Sequence, residues 1–599
     1  MPKLLPAWQI APDGSDLPIP KTGSMSDSAS AAGILPPSDD SPRVPDGARG
    51  FSLSDIRRPD IWLILSASIA LLVSIPVITV LLMSVVSTGD IWAHLASTVL
   101  STYVANTLIL FVGVGVGTVV IGVTTGWLVT MCRFPGQRFF EWALLLPLAV
   151  PSYILAFVAT DMLEFSGPLQ GALRDMFGWK TLQDYWFPDI RTIGGAILMF
   201  SLTLYPYVYL LARSAFLQQS VCVLEVSRTL GRSGLSSFFQ VALPLARPAI
   251  VAGTALALME TLNDYGTVKY FAVNTFTTGI FDVWLSYNNA GGAAQLASVL
   301  LGFVIMLIAL EQISRRQQRY HQTTGKLKDL PGYRLSRGRA AAAMAACLLP
   351  VLLGFILPAS VLAHYALESF GETFGTAFLA DARNSLLLAS VSAIIAVSLG
   401  VFLAYANRLR PGRALTGLTR FSVVGYAVPG AVLALGVIIP FGWLDNYIDS
   451  LMRSAFGHST GLIFSGTVFA LVFAYVVRFL AVSYGAASSG LTKVTRNMDN
   501  AARMLGRSPL GTLSAVHLPL IRASIITAGL LVFVDVMKEL PMTLILRPFN
   551  FNTLATRTYD YASDERLWEA SLPALSVVIV GILPVILMSR ALRNSRHAH

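Results

Sequence analysis

The sequence predicts an all-α integral membrane protein with about twelve transmembrane helices, arranged as two tandem halves of six. Two properties lead to this fold class. Of the 599 residues, 54% are hydrophobic and only 13% are charged, a composition far from that of an ordinary soluble protein. In addition, one short polar stretch occurs once in each half, which indicates an internal duplication.

Apolar runs of about 20 residues, enough to cross a hydrocarbon core of roughly 30 Å, recur along the chain. They lie at 61–86, 103–131, 140–163, 192–217, 246–272, 292–313, 340–366, 383–407, 417–440, 461–486, 520–546 and 569–591. These runs and the polar segments between them predict five regions. They are a disordered N-terminal tail at 1–57, a first half at 58–313, a basic linker at 314–339, a second half at 340–593 and a C-terminal tail at 594–599.

The duplicated polar stretch lies at 225–233 and at 500–508, and a Leu-Pro pair follows each copy. Identical residues recur at one offset. Gly506 lies 275 positions after Gly231, and Pro519 lies 275 positions after Pro244. A constant offset over several identities marks a duplicated unit. Because each half has six spans, an even number, the two halves are expected to have the same orientation in the membrane.

Each copy predicts two short helices joined by a turn, here called the first elbow (225–244) and the second elbow (500–519). Gly231 and Gly506 suit the left-handed conformation that ends a helix. Ser508 suits the N-cap of the next helix, with a proline directly after it. The proline at the end of each elbow is expected to close that helix just before an apolar run.

Lysine and arginine are concentrated in some loops and missing from others. The linker at 314–339 has eight of them against one acid, and 132–139 and 408–416 are also basic, whereas 87–102 and 273–291 have none. Since cytoplasmic loops carry the excess of positive charge, both termini and both elbows are expected to face the cytoplasm. Membrane orientation also accounts for the net charge of +10, so no nucleic-acid partner is expected.

The elbows resemble the cytoplasmic signature loop of the ABC importer permeases of MetI-like fold, which begins Glu-Ala-Ala and ends in Leu-Pro. Val226 and Ser227 replace the two alanines in the first copy, and Asn500 replaces the glutamate in the second. The resemblance implies that the elbows dock on two copies of a cytoplasmic ABC ATPase subunit, with leucine and phenylalanine side chains in its groove. The residues expected to form these coupling loops are Glu225, Arg228, Gly231, Leu235, Phe238, Pro244, Asn500, Ala502, Arg503, Gly506, Leu513 and Pro519. The alternative is that each elbow is an interfacial connector without a partner.

The chain has no G-x-x-x-x-G-K-[ST] phosphate-binding loop, so we expect no ATP hydrolysis by this chain and no bound cofactor. ATP and Mg²⁺ would be used by the partner ATPase. The three cysteines, Cys132, Cys222 and Cys347, have no metal-ligand spacing and are interpreted as small apolar residues.

Carboxylates occur inside the apolar run that follows each elbow. Glu260 and Asp264 are four residues apart, and Asp535 and Glu539 stand 275 positions later. Ionisable groups within a membrane usually face a polar pathway or one another. The candidates for the translocation path are Glu260, Asn263, Asp264, Tyr265, Asp535, Lys538 and Glu539. The structural alternative is that Lys538 neutralises one acid while others bond the broken backbone near Gly266 and Pro541.

The same segments resemble the fused ferric-iron permeases, in the strings at 260–268, 275–280, 538–543 and 547–551. That resemblance implies a bacterial inner-membrane importer of iron(III), supplied by a periplasmic ferric-binding protein and working by alternating access. No stable metal site is expected. Transient contact of Fe³⁺ with the four acids is a hypothesis, because hard cations prefer oxygen ligands.

Two other interpretations remain open at this point. The same machine could carry thiamine, a polyamine or another small solute, although an acidic pathway argues against an anion such as sulfate. A protein of a different class, an ATPase-independent secondary transporter, would have no partner bound at the elbows.

Overall fold

The computed structural model describes residues 61–86, 91–218, 234–316 and 333–597, and this part of the chain is almost entirely helical. The first half consists of α1 (Ile61–Met83), α2 (Ile91–Thr98), α3 (Leu100–Met131), α4 (Gln137–Ala143), α5 (Ser152–Leu163), α6 (Pro168–Phe177), α7 (Ile193–Gln218), α8 (Gly234–Ser237), α9 (Leu243–Asn263), α10 (Gly266–Tyr270), α11 (Phe276–Leu285) and α12 (Ala290–Arg316).

The second half repeats this order. It consists of α13 (Arg337–Val351), α14 (Leu357–Glu368), α15 (Phe370–Thr373), α16 (Thr376–Leu409), α17 (Arg413–Ser422), α18 (Gly430–Phe456), α19 (Val468–Thr492), α20 (Arg496–Met504), α21 (Pro509–Thr512), α22 (Leu518–Lys538), α23 (Pro541–Leu546), α24 (Leu554–Ser563) and α25 (Leu567–His597). Two short parallel strands, β1 (Cys132–Arg133) and β2 (Tyr333–Arg334), pair the loop after α3 with the residues before α13.

Eleven helices in the described residues are long and apolar enough to cross a membrane. A bent pair, Gln137–Ala149 with Ser152–Phe177, makes a twelfth when it is counted as one span. Five of the eleven helices and the bent pair lie in the first half, and six helices lie in the second. The predicted arrangement of six plus six spans is confirmed.

The bounds predicted for the third and ninth spans, 140–163 and 417–440, are wrong because each contains a Val-Pro break. Val150 has φ −96° and ψ 113°, and Val428 has φ −79° and ψ 127°, so neither is helical. Proline has no N–H to continue a helix, and it pushes the preceding residue into the extended region. The long helix of the ninth span therefore starts at Gly430.

The prolines at the ends of the elbows do not close a helix, contrary to the expectation. The helix continues past Pro244 and past Pro519 into α9 and α22. A π-helical turn directly precedes each Leu-Pro pair, at Phe238–Ala242 and at Leu513–His517. Such a turn adds one residue to the helix, and it relieves the clash that proline would otherwise make with the preceding turn.

Equivalent contacts show that the two halves fold alike. The side-chain amide of Asn106 donates to the carbonyl of Asn274 at 2.9 Å, and that of Asn384 donates to the carbonyl of Asn552 at 3.1 Å. The residue after each accepting asparagine begins a capping box that starts α11 or α24. Both contacts tie the second span of a half to the segment that precedes its last span.

The first span of each half, α1 in one and α13 with α14 in the other, packs against the other half. In α1, Trp62 stacks on Phe402 of the second half with ring centroids 5.3 Å apart. In α14, the hydroxyl of Tyr365 donates to Asp161 of the first half at 2.9 Å. This exchange joins the two halves into one unit over Asp60–His599.

We predict that Gly436→Ala destabilises the protein by about 1–3 kcal/mol through overpacking. A Cβ at Gly436 would lie within 2.7 Å of the Cα of Pro76 in α1, and it would also meet the Pro76 carbonyl group. The measurement is the thermal unfolding midpoint of the purified protein in detergent. Gly442→Ala is the matched control, because it lies in the same helix and its Cβ would meet nothing within 4 Å. Equal midpoints for the two variants would contradict the close contact.

Candidate functional site

The helices that carry the predicted acids, α9 and α22, both stop next to one of them. Asp264 and Glu539 follow the last helical residues, and their backbones are extended, with ψ of 138° and 126°. The short helices α10 and α23 begin two residues later. The apolar runs at 246–272 and 520–546 are therefore broken, and each break comes directly at the second acid of its pair.

Asp264 and Glu539 cap the short helices that follow them. Asp264 accepts the N–H of Thr267 at 2.8 Å and the hydroxyl of Ser152 at 2.7 Å. Glu539 accepts the backbone N–H groups three and four residues ahead, both at 3.0 Å. A carboxylate at this position satisfies donors that the break leaves unpaired, and it interacts favourably with the helix dipole. For these two acids the structural interpretation, bonding of the broken backbone, is confirmed.

The acids that stand one turn before each break, Glu260 and Asp535, line a cavity of about 130 Å³. Both halves contribute to its wall. The polar and charged residues that line it include Ser152, Thr203, Tyr207, Glu260, Asn263, Asp264, Tyr426, Arg478, Asp535, Lys538 and Glu539. Four carboxylates face two cations, so the formal charge of the wall is 2 − 4 = −2 when all six groups are ionised.

Arg478 of α19 is the cavity residue that sequence reasoning missed. Its side chain is 6% exposed, and it lies between acids of the two halves. One guanidinium nitrogen is 3.6 Å from Glu539 and donates to the side-chain oxygen of Asn263 at 2.9 Å. The other terminal nitrogen is 4.0 Å from Glu260. The available signal was a single arginine inside the apolar run at 461–486.

The other predicted path residues divide between the cavity and the core. Asn263 lines the cavity and also accepts the N–H of Gly430 from the second half at 2.5 Å. Lys538 lies 3.6 Å from Asp535, so its predicted neutralising role is confirmed. Tyr265 is not among the cavity-lining residues, because its ring is buried and stacks on Phe281 with centroids 3.8 Å apart.

Within the described residues, no three His, Cys, Asp or Glu side chains are grouped so that they could hold a metal ion. Each of the four acids is held apart from the others by a partner of its own. Two of them cap helices, Asp535 pairs with Lys538, and Glu260 accepts the hydroxyl of Tyr426 at 3.4 Å. A transient contact between these acids and a passing cation stays a prediction.

The second elbow has the turn that the sequence predicts. Gly506 has φ +73°, and the N–H of Arg507 bonds the carbonyl of Ala502 at 3.1 Å, which closes the end of α20. The hydroxyl of Ser508 accepts the N–H of Gly511 at 3.1 Å and caps α21. Residues 225–233 of the first elbow, with Glu225, Arg228 and Gly231, and the side chain of Leu235 lie outside the described residues.

Two of the apolar residues expected to form the coupling loops pack against the permease itself. Leu513 packs inward against buried residues of α16, α19 and α22, and Phe238 packs on Trp127 with ring centroids 4.9 Å apart. The neighbouring Leu505, Leu510 and Phe239 are instead 82%, 65% and 63% exposed. In an amphipathic helix one face packs on its own protein, and the sequence alone does not show which apolar residues belong to that face.

Arg408 holds the second elbow against the rest of its half. It donates to the carbonyls of Leu491 and Val494, both at 2.7 Å, and pairs with Asp499 at 2.9 Å. Asp499 also binds the ring of the buried His517 at 2.6 Å. Charge-assisted bonds of this kind are among the stronger hydrogen bonds in proteins, so the elbow is fixed to α16 and α19.

Two segments, 118–319 and 396–596, match the family described as "Binding-protein-dependent transport system inner membrane component". The chain belongs to this family. It is therefore a multi-pass inner-membrane permease of an ABC importer, a transport subunit that works with a binding protein and an ATPase. The two matches fall one in each half, in agreement with the duplicated fold.

Individual relatives cover the chain to different extents. The chain is 25% identical to the Fe(3+)-transport system permease protein FbpB 2 of Haemophilus influenzae, over 89% of this chain and 99% of that protein. It is 23% identical to the ferric transport system permease protein FbpB of Actinobacillus pleuropneumoniae, over 72% and 63%. The molybdenum transport system permease protein ModB of Escherichia coli is 28% identical, but over only 33% of this chain and 86% of its own length.

We predict that Glu539→Ala lowers the stability of the protein far more than Asp535→Ala. The first change leaves two buried N–H groups without an acceptor, at about 1–3 kcal/mol for each unsatisfied donor. The second removes one ion pair whose side chains are 23% and 33% exposed, and it removes no helix cap. Thermal midpoints in detergent compare the two variants. If Asp535→Ala were the more destabilised, the assignment of Glu539 as a helix cap would be wrong.

Proposed function

We propose that this permease imports iron(III) that a periplasmic ferric-binding protein delivers. The observation that carries the proposal is the cavity where the breaks of α9 and α22 meet, with four carboxylates against two cations. A wall of carboxylate and hydroxyl oxygens with net negative charge suits a hard, highly charged cation. The relative that is matched over 99% of its length is named as an Fe(3+) permease, which supports the same cargo.

The relative named as a molybdenum permease raises the alternative of a cargo other than iron, and an oxyanion is one class to weigh. An oxyanion would have to approach Glu260 and Asp535, whose charges repel it. Like charges at close range are strongly unfavourable in a medium of low dielectric constant. Thiamine and polyamines are cations, so the charge of the cavity does not oppose them, and a direct uptake measurement separates them from iron.

In the proposed mechanism the two halves alternate access to the cavity while ATP is hydrolysed by two copies of a separate ATPase subunit, one at each elbow. The elbows and both termini would face the cytoplasm, in agreement with the excess of lysine and arginine at 314–339. The exposed Leu505 and Leu510 give the second elbow an apolar surface for a groove on such a partner.

Cells that lack this chain should lose uptake of labelled Fe(III) and keep uptake of thiamine and putrescine. The wild-type chain should restore iron uptake. The double variant Glu260→Gln with Asp535→Asn should restore less than about a tenth of it, because it removes two carboxylates from the cavity without removing a helix cap. Equal amounts of chain in the membrane fraction serve as the control. Loss of thiamine uptake with unchanged iron uptake would refute the proposed cargo.

Leu510→Glu should weaken binding of the ATPase by about tenfold or more, since a buried apolar anchor at an interface contributes about 2 kcal/mol. The measurement is co-purification of the ATPase with the tagged permease. Leu462→Glu is the matched control, because that leucine is similarly exposed, at 59%, in the loop before α19. Equal recovery of the ATPase with both variants would mean that Leu510 is not part of the docking surface.

A further inference from the structure

The cavity departs from the symmetry of the two halves at Arg478. The offset of 275 relates α19 to α7, and it places Thr203 at the position equivalent to Arg478. Both residues line the cavity, so one half presents a short hydroxyl where the other presents a buried cation. The duplication itself does not require this cation.

The contacts of Arg478 join the two halves directly at the cavity. Its guanidinium reaches Glu260 and Asn263 of the first half while it also faces Glu539 of the second. Relative movement of the halves must therefore change its partners. A buried guanidinium that loses a carboxylate partner is strongly disfavoured, so this contact holds the halves in the observed arrangement.

The partners of Arg478 are not held equally. Glu539 is fixed by the backbone N–H groups of α23, and Asn263 is fixed by the N–H of Gly430. Glu260 is 4.0 Å from the guanidinium and 3.4 Å from the hydroxyl of Tyr426, and it belongs to an unbroken part of α9. Both of its contacts are longer than good hydrogen bonds. Glu260 is therefore the partner that another cation can take over most easily.

We propose that Arg478 is a resident counter-ion for Glu260, which the cargo cation displaces, and that this displacement releases the contact between the halves. The inference rests on the proposed function, because it requires a cation as cargo. The energy of a charge pair scales with the product of the charges, so a trivalent ion attracts Glu260 about three times as strongly as a guanidinium at equal distance. Displacement of this kind would favour highly charged cations over monovalent ones, and it makes Arg478 a positioning residue.

The test measures ATP hydrolysis by the permease–ATPase complex in proteoliposomes, without and with iron-loaded binding protein. Arg478→Thr, which installs the residue of the other half, should raise hydrolysis without binding protein by about fivefold or more, within the range of coupling between linked sites. Stimulation by the loaded binding protein should fall towards none. Glu260→Gln should have the same effect on basal hydrolysis, and the double variant should add nothing further, because both changes break one contact.

Arg478→Lys keeps the charge and should keep basal hydrolysis close to the low wild-type rate. A purely structural role for the guanidinium would not predict this result. Arg420→Thr is the control, because Arg420 is exposed in α17. Wild-type basal hydrolysis in a correctly assembled Arg478→Thr complex would overturn the inference and leave the cargo assignment intact. Raised hydrolysis in that variant, with no iron uptake by the wild-type chain, would refute the cargo and support the contact between the halves.

Discussion

The constraint on which the rest of this structure depends is that a helix broken inside a membrane must find partners for the backbone groups it frees, since hydrocarbon offers none. At α9 and α22 a carboxylate supplies them, Asp264 in one half and Glu539 in the other. The breaks turn the chain away from the helix axis and leave a cavity beside them. The acids that make the breaks possible are therefore also two of the four carboxylates in the cavity wall.

The duplication accounts for the helix arrangement that the two halves share, and the differences between the copies account for the charged residues of the cavity. In the first half, Tyr103 packs against Gly279. The residues 278 positions later, Asp381 and Arg557, form an ion pair at 2.7 Å in the second half. The same arrangement of helices thus accommodates an apolar contact in one half and a charged contact at the equivalent position of the other. At the cavity the difference becomes a cation on one side only, so the two halves cannot respond identically to a charged solute.

The sequence was sufficient for features that depend on local chemistry or on counting. Six plus six spans follow from apolar length, and the turn at Gly506 follows from the need for a left-handed residue. The sequence left open whether Asp264 and Glu539 bond a broken backbone or face a pathway, because an acid that caps a helix and an acid that lines a pathway look the same in a hydrophobic run. The inward packing of Leu513 depends on which face of a helix meets its neighbours. The role of Arg478 depends on contacts with the other half, such as that with Asn263, which is 215 residues away in sequence.

The geometry of α21 and α22 bears on how movement at the second elbow would reach the cavity. The helix runs without interruption from Pro509 to Lys538, and its 30 residues at about 1.5 Å each span about 45 Å. The hydroxyl of Tyr405 in α16 donates to the carbonyl of Pro509 at the start of this helix, at 2.7 Å. Arg408 of α16 binds the carbonyl of Leu491 in α19, and α19 carries Arg478. A force applied at the elbow would therefore move the second half as one body. The change in geometry would then be concentrated where that body meets the first half, at the contact of Arg478 with Glu260.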